Sequence, residues 1–198
     1  MCGIVAIRST RGPIPDGALR RATTALHHRG PHGERTWVSG CGAVGLGHTR
    51  LAVVDPVCGV QPIASEDGRS RIVASGEFSE FEDIRMCLEM QGHRFRTCSD
   101  SEIALHLYED MGPECLEHLR GRFSFVIWDE DEKTLFAARD RFGLKSLFYH
   151  ESNGILYLAS EAKALLAAGV ARGWDTSGVP PGHMLVSTPE STRLTCYL

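Results

Sequence analysis

The sequence predicts an α+β fold in which two antiparallel sheets pack face to face and helices cover their outer surfaces. Short apolar runs bounded by Gly, Pro or Asp recur along the chain and indicate strands. Segments with helical spacing lie between these runs, and frequent Gly and Pro indicate many short elements. Runs of strands separated by pairs of helices are typical of a layered α+β arrangement.

Eight apolar runs are predicted to be strands. The first sheet is expected to contain residues 4–7, 44–46, 51–54 and 72–74. The second is expected to be a meander of residues 123–128, 135–138, 147–149 and 155–159, with turns at 129–133 and 152–154.

Helical patterning separates these strands. Ser99 and Glu102 have the spacing of a capping box, which predicts that a helix begins there and extends to Met111. Beyond Gly173 the pattern weakens, and a loop followed by a last hairpin is expected. The other predicted helices are residues 16–28, 80–91, a short segment at 114–119, and 161–168.

Length and charge limit the classes of protein to consider. The 198 residues are enough for one substantial core, so residues 1–198 are predicted to form a single domain. The formal charge of -4 arises from interspersed acidic and basic residues, which argues against nucleic acid as a partner. No apolar run approaches the roughly 18 residues of a membrane span and no signal peptide is recognisable, so a cytoplasmic protein without a membrane partner is expected.

The cysteines and histidines give no sign of a disulfide framework or a metal site. The seven cysteines are odd in number, scattered and never spaced as Cys-x-x-Cys, so reduced thiols are expected. The nine histidines are dispersed, and the adjacent His27 and His28 would point in different directions on a helix. We therefore expect no metal ion and no other cofactor.

The position of Cys2 suits it to act as a nucleophile. Removal of Met1 would leave a thiol and a free α-amino group on one residue. A terminal amine has a pKa near 8, so it can accept the thiol proton at neutral pH. From position alone, however, a small buried hydrophobic residue at the start of a strand is the commoner role for such a cysteine.

Cys2 belongs to a series of motifs that together indicate a protein family. Together they resemble class II glutamine amidotransferases, especially the N-terminal glutaminase domain of asparagine synthetase B-type enzymes. Their order and spacing span nearly the whole chain, which makes coincidence implausible. The motifs occupy residues 1–6, 28–31, 47–55, 61–63, 76–77, 97–102, 138–145 and 159–163.

The resemblance implies a fold and a reaction. The fold would be the four-layer αββα sandwich of N-terminal-nucleophile hydrolases, and the mature chain would begin at Cys2. Cys2 would attack the side-chain amide of L-glutamine, release ammonia, and form a thioester that water hydrolyses to glutamate.

The resemblance also implies the residues that bind glutamine. Arg50 would hold the α-carboxylate, although a surface salt bridge is the ordinary role of an isolated arginine. Asp100 would hold the α-ammonium, a role compatible with a first-turn acid of a helix. Arg29 would help to close the pocket, or would only interact with a helix C-terminus. The remaining predicted pocket residues are Leu51, Val53, Val54, Gly76 and Glu77.

Ser75 is the main departure from the family pattern. The family usually has asparagine at this position, and its amide forms the oxyanion hole with the N–H of the following glycine, here Gly76. The shorter hydroxyl of Ser75 would reach an oxyanion only through water, and loss of one such donor typically costs about 10²–10³ in rate. His32 and Ser146 replace the usual aspartate and proline in nearby loops.

The sequence leaves three functions open. The first is a glutaminase that supplies ammonia to an ATP-dependent synthetase partner or domain, because this chain contains no Gly-rich phosphate-binding loop of its own. The second, suggested by Ser75, Ser79 and Glu80, is a non-catalytic or weakly active domain used for assembly with a synthetase. The third is an N-terminal-nucleophile amidase acting on another amide.

Overall fold

The computed structural model describes residues 1–52, 60–170 and 175–198, and it contains two six-stranded antiparallel sheets in these ranges. We call them the β1 sheet and the β5 sheet. In spatial order, the β1 sheet contains Ser177–Gly178 (β10), Phe148–Ser152 (β8), Ile155–Ala159 (β9), Gly3–Ser9 (β1), Val44–Thr49 (β3) and Glu34–Val38 (β2). The β5 sheet contains Thr192–Cys196 (β12), His183–Ser187 (β11), Thr134–Arg139 (β7), Gly121–Asp129 (β6), Ser70–Phe78 (β5) and Ile63–Ala64 (β4).

The two sheets pack against each other and each is covered by a pair of helices. One apolar cluster joins residues of both sheets, including Ile4 and Leu46 from one and Val73 and Val126 from the other. The α-helices Ala18–Thr24 (α1) and Ala162–Ala168 (α4) cover the outer face of the β1 sheet. The helices Phe81–Gln91 (α2) and Ser101–Met111 (α3) cover the β5 sheet. The predicted four-layer αββα fold is therefore confirmed.

Alternation along the strands explains how each sheet can be buried on both faces. Ile4 and Ala6 of β1 contribute to the cluster between the sheets, whereas Val5 and Ile7 contribute to the cluster under α1 and α4. All four side chains are buried. Strand β1 also lies between β9 and β3 in its sheet. This buried strand fixes the position of Cys2, which directly precedes it.

The predicted assignment of strands to sheets was wrong. Residues 72–74 belong to β5, which pairs with β6, and not to the sheet of β1. Residues 147–149 and 155–159 correspond to β8 and β9, and β9 pairs with β1. Apolar periodicity reports which faces of a strand are buried but does not identify its partner, and the chain crosses between the sheets repeatedly.

Several element boundaries also differ from those predicted. The first helix is shorter than residues 16–28, because it begins after Gly17 and is followed by a separate 3₁₀ turn at His27–Arg29. Strand Glu34–Val38 was not predicted, since it is a largely exposed edge strand with little apolar character. Leu51 and Ala52 lie outside any strand, and the rest of the predicted strand at 51–54 lies outside the described residues.

The other helices and the hairpins agree with the prediction. Helix α3 begins near Ser99 as predicted, but the Glu102 carboxylate accepts hydrogen bonds from the backbone N–H groups of Arg96 and Thr97 and does not form the capping box. The segment after α3 is a 3₁₀ helix, Gly112–Glu117. The 152–154 turn and the final β11–β12 hairpin are confirmed.

The expectation of reduced thiols was wrong for Cys98, which is disulfide-bonded. Spacing along the sequence does not report which thiols the fold brings together. Five other cysteines in the described part are free: Cys2, Cys41, Cys87, Cys115 and Cys196. No helix among the described residues is long and apolar enough to cross a membrane.

His48 makes the stability of the fold sensitive to acid. It follows Leu46 by two residues on β3, so its ring enters the space between the sheets, where it is 2% exposed and its Nε2 has no partner among the described residues. Burial, together with the nearby charge of Arg50, lowers the pKa of His48 to about 4.

We expect the free energy of unfolding to fall as the pH decreases from about 6.5 to about 4. In this range the unfolded chain binds a proton that the folded chain excludes, which amounts to roughly 3 kcal/mol at 1.36 kcal/mol per pKa unit. Urea unfolding at several pH values measures the slope. His48→Gln should flatten it, whereas His27→Gln, at an exposed position, should not; equal slopes in wild type and His48→Gln would contradict the assignment.

Candidate active site

The backbone of Cys2 is anchored from both sides of the sandwich. Its carbonyl oxygen accepts hydrogen bonds from Arg29 Nε at 3.0 Å and from Ser75 Oγ at 2.8 Å. Arg29 follows the helix outside the β1 sheet, and Ser75 belongs to β5 in the other sheet. The next residue, Gly3, donates its N–H to Thr49 Oγ1 at 3.1 Å. These contacts hold the peptide of Cys2 in place while the residue stays half-buried at a cavity.

That cavity has a volume of about 530 Å³ and brings together most of the predicted site. Val53 and Val54 lie outside the described residues, and Ser75 is not a lining residue but donates to the carbonyl of Cys2, which is one. Met1 occupies part of the wall, and its amino group donates to the Arg29 carbonyl at 3.2 Å. The predicted residues that line the cavity are Cys2, Arg50, Leu51, Gly76, Glu77 and Asp100.

Arg50 enters the cavity from the segment after β3. Its backbone N–H donates to the Gly33 carbonyl at 2.8 Å, and its carbonyl accepts from His32 N–H at 3.0 Å. The His32 ring accepts a hydrogen bond from the N–H of Ala52 through Nδ1 at 3.0 Å. His32, one of the departures from the family pattern, therefore holds the segment that carries Arg50 and Leu51.

The edge of β5 forms the opposite wall. Alternate residues of a strand direct their N–H groups to the same edge. The N–H of Ala74 donates to Gln61 Oε1 at 2.6 Å, and that of Phe78 donates to Asp100 Oδ2 at 2.8 Å. Gly76 lies between them and lines the cavity, and the same alternation predicts that its N–H faces this edge.

Gly76 could not be replaced without distortion. Its φ is +141°, a conformation that L side chains rarely adopt, and a Cβ would collide with the carbonyl oxygen of Arg122. This glycine therefore allows β5 to lie close to β6 at the wall of the cavity.

Asp100 is an acid in a partly desolvated position. Burial raises its pKa, while the N–H groups of Phe78 and Ser101 partly oppose that shift. A cation bound beside this carboxylate would replace the lost solvation and favour its ionised form. Glu77 is different, because its side chain is 68% exposed and its carboxylate pairs with Arg122 at 2.8 Å.

Sequence reasoning missed two charged residues near Cys2. Glu161, which the sequence indicated only as part of a motif, binds Arg29 Nη1 at 2.9 Å and so orients the guanidinium that holds the Cys2 carbonyl. Partial burial acts to raise the pKa of Glu161, but hydrogen bonds from Arg29, His28 and Lys163 outweigh it and lower the pKa to about 2. Lys145 lines the cavity with its Nζ 3.2 Å from Met1 Sδ, and burial lowers its pKa.

Comparisons with known proteins point to one family. Residues 1–194 match the family described as glutamine amidotransferase domain. Asparagine synthetase [glutamine-hydrolyzing] 3 of Bacillus subtilis is 42% identical over 171 residues, which cover 84% of this chain and 28% of that protein. Amidase chry2 of Gibberella zeae is 38% identical over 221 residues, which cover 96% of this chain and 33% of that protein.

Solved structures agree on the fold. The glutamine phosphoribosylpyrophosphate amidotransferase of Bacillus subtilis superposes with a TM-score of 0.81 over all of this chain and 49% of that one, at 22% sequence identity. At this identity the likeness is evidence for the fold alone. The chain spans about a third of the length of the curated relatives that it matches.

Proposed function

The chain belongs to the class II glutamine amidotransferase family, and from this membership we propose that it hydrolyses L-glutamine to L-glutamate and ammonia with Cys2 as the nucleophile. A synthetase partner or domain then consumes the ammonia. The observation that carries the proposal is the cavity that Cys2, Arg50, Gly76 and Asp100 line together. Removal of Met1 exposes the α-amine of Cys2 within this cavity.

The reaction requires only the terminal residue and its surroundings. The α-amine, with an ordinary pKa near 8, accepts the thiol proton as sulfur attacks the side-chain carbonyl of glutamine. The amine then returns the proton to the leaving ammonia, and the carbonyl re-forms as a γ-glutamyl thioester. Water attacks the thioester, the C–S bond breaks, and glutamate and the free thiol result.

The charged residues orient the amino-acid end of the substrate. The guanidinium of Arg50 binds the α-carboxylate, for which its paired N–H groups are suited, and Asp100 binds the α-ammonium. Leu51 and the backbone at Glu77 form the walls between them, and Val53 and Val54 complete the proposed set. The N–H of Gly76 donates to the oxyanion as the tetrahedral intermediate forms.

Ser75 acts on the nucleophile more directly than on the oxyanion. Its hydroxyl donates to the carbonyl of Cys2 and so steadies the residue that attacks. We expect Ser75→Ala to lower kcat roughly fivefold, the effect of losing one hydrogen bond of about 1 kcal/mol. Ser75→Asn should raise kcat, because the longer amide extends past the Cys2 carbonyl and adds an oxyanion donor. Glutamate release at saturating glutamine measures both variants; a slower Ser75→Asn enzyme would contradict the oxyanion argument.

A second candidate is an amidase that acts on another amide, which the similarity to an amidase favours. Glutamate release from glutamine by wild-type protein, with mass spectrometry showing a terminus at Cys2, tests the main proposal. Simple acylamides form the comparison panel. Turnover of an acylamide but not of glutamine would reject the glutaminase, and turnover of neither would favour the non-catalytic assembly domain.

A further inference from the structure

A cluster of histidines and carboxylates lies where the chain leaves α2 and packs against α3. His93, His106 and Glu109 each contribute one potential ligand atom, and these three atoms lie within 4.8 Å of one another. His106 Nδ1 is 2.9 Å from Glu109 Oε2, and His93 Nε2 is 3.0 Å from Asp110 Oδ1. The two imidazole rings are adjacent, with centroids 4.7 Å apart.

The His106 ring lies between two carboxylates. Burial acts to lower the pKa of His106, but the carboxylates of Glu102 and Glu109 outweigh it and raise the pKa to about 9, so an ion would bind this ring in place of a proton. The His106 side chain is fully buried, and its Nε2 has no hydrogen-bond partner among the described residues. This atom faces Glu102 Oε1 at 3.7 Å, while Nδ1 faces Glu109 on the other side of the ring. A carboxylate behind one nitrogen and a metal on the other is a common arrangement for histidine ligands.

We propose that His93, His106 and Glu109 bind a divalent transition-metal ion, with Zn²⁺ the best fit to two imidazoles and one carboxylate. Asp110 and Glu102 orient the two histidines from outside the ligand set. The sequence predicted no metal site, because His93 lies in a different segment from His106 and Glu109 and only the fold brings them together.

The distances are compatible with an ion after a small movement. Bonds of about 2.0–2.2 Å to a tetrahedral zinc place its ligand atoms roughly 3.4 Å apart. The observed limit of 4.8 Å therefore requires a closure of up to about 1.4 Å. His93 and Glu109 are able to make it because their side chains retain 14% and 21% exposure, whereas buried His106 provides the fixed point.

The cluster is accessible from a second cavity of about 620 Å³, which His93 and Glu109 line. Several acidic residues line the same cavity, including Glu66, Asp129 and Glu132, and they favour entry of a cation. Arg69 pairs with Asp67 and Asp131, so these two acids contribute less. This cavity contains none of the residues proposed to bind glutamine.

Binding would connect two segments that border the glutamine pocket. His93 directly follows Gly92 at the end of α2, and His106 and Glu109 lie on α3, whose N-cap is Asp100. An ion at this position would stabilise the packing of α2 and the following loop against α3. The proposed role is structural, and it is independent of Cys2 chemistry.

The test is titration of the full chain with ZnCl₂ and CoCl₂ after chelator treatment. Cys2→Ala serves as the parent protein, so that the active-site thiol does not compete for the ion. We expect one equivalent to bind, without a thiolate-to-cobalt charge-transfer band, and to raise Tm. His93→Ala and Glu109→Gln should weaken binding at least tenfold and abolish the Tm increase.

Two features of the design make the result decisive. The variants are at partly exposed positions, so they should fold even if a change at buried His106 would not. His118→Ala, at an exposed histidine outside the cluster, is the matched control and should bind as the parent does. Absence of binding by the parent, or unchanged affinity in both cluster variants, would overturn the proposal. Neither result would affect the proposed glutaminase, which is measured separately with Cys2 present.

Discussion

Cys2→Ala is expected to abolish glutamate release and leave the fold intact. Alanine at this position keeps the carbonyl that Arg29 and Ser75 hold, and it is small enough for Met1 to be removed as in wild type. Removing the nucleophile of a comparable covalent mechanism lowers kcat by on the order of 10⁶. Circular dichroism and thermal melting should match those of wild type.

Cys87→Ala is the matched control, because Cys87 is a free, exposed thiol on α2. It should retain full activity. Substantial turnover by Cys2→Ala, or an equal loss in Cys87→Ala, would reject Cys2 as the nucleophile.

Arg50→Lys and Asp100→Asn are expected to raise KM for glutamine about ten- to a hundredfold, with a smaller fall in kcat. Each change removes a charged hydrogen bond to the amino-acid end of the substrate, and such bonds contribute about 1.5–3 kcal/mol. The amide oxygen introduced by Asp100→Asn would still accept the N–H of Phe78, so the start of α3 should survive this change. Steady-state kinetics over a wide range of glutamine concentrations separates KM from kcat.

Arg35→Lys provides the control for this pair, since Arg35 is an exposed residue of β2 that does not line the cavity. Its KM should equal that of wild type. If KM is unchanged in both Arg50→Lys and Asp100→Asn, these residues do not bind the substrate and the proposed pocket is wrong.

The fold class was predictable because its signals are local. Short apolar runs identified β1, β6 and β9, and helical spacing identified α2 and α4 to within one residue at each end. The partners of the strands were not predictable, because pairing depends on packing between segments far apart in the chain. The error in sheet membership follows directly from this limit.

In the candidate site, too, the residues carried by local motifs were predictable and the contacts between distant segments were not. Motifs identified Cys2, Arg50 and Asp100, and the fold places all three at one cavity. The contact between Ser75 and the Cys2 carbonyl was not predictable, because no sequence spacing reports that β5 approaches the N-terminus. Glu161 was missed for the same reason, since its contact with Arg29 joins residues far apart in sequence.

The ion pair between Glu161 and Arg29 affects how a pH–rate profile should be interpreted. With a pKa of about 2, Glu161 remains ionised throughout any range in which the protein is assayed, so the anchor on the Cys2 carbonyl does not titrate. An acidic limb in kcat/KM would then report the proton-accepting α-amine of Cys2 or the carboxyl of Asp100, whose pKa burial raises. Asp100→Asn would remove the second contribution and leave the first, so comparison of its pH–rate profile with that of wild type assigns the two ionisations.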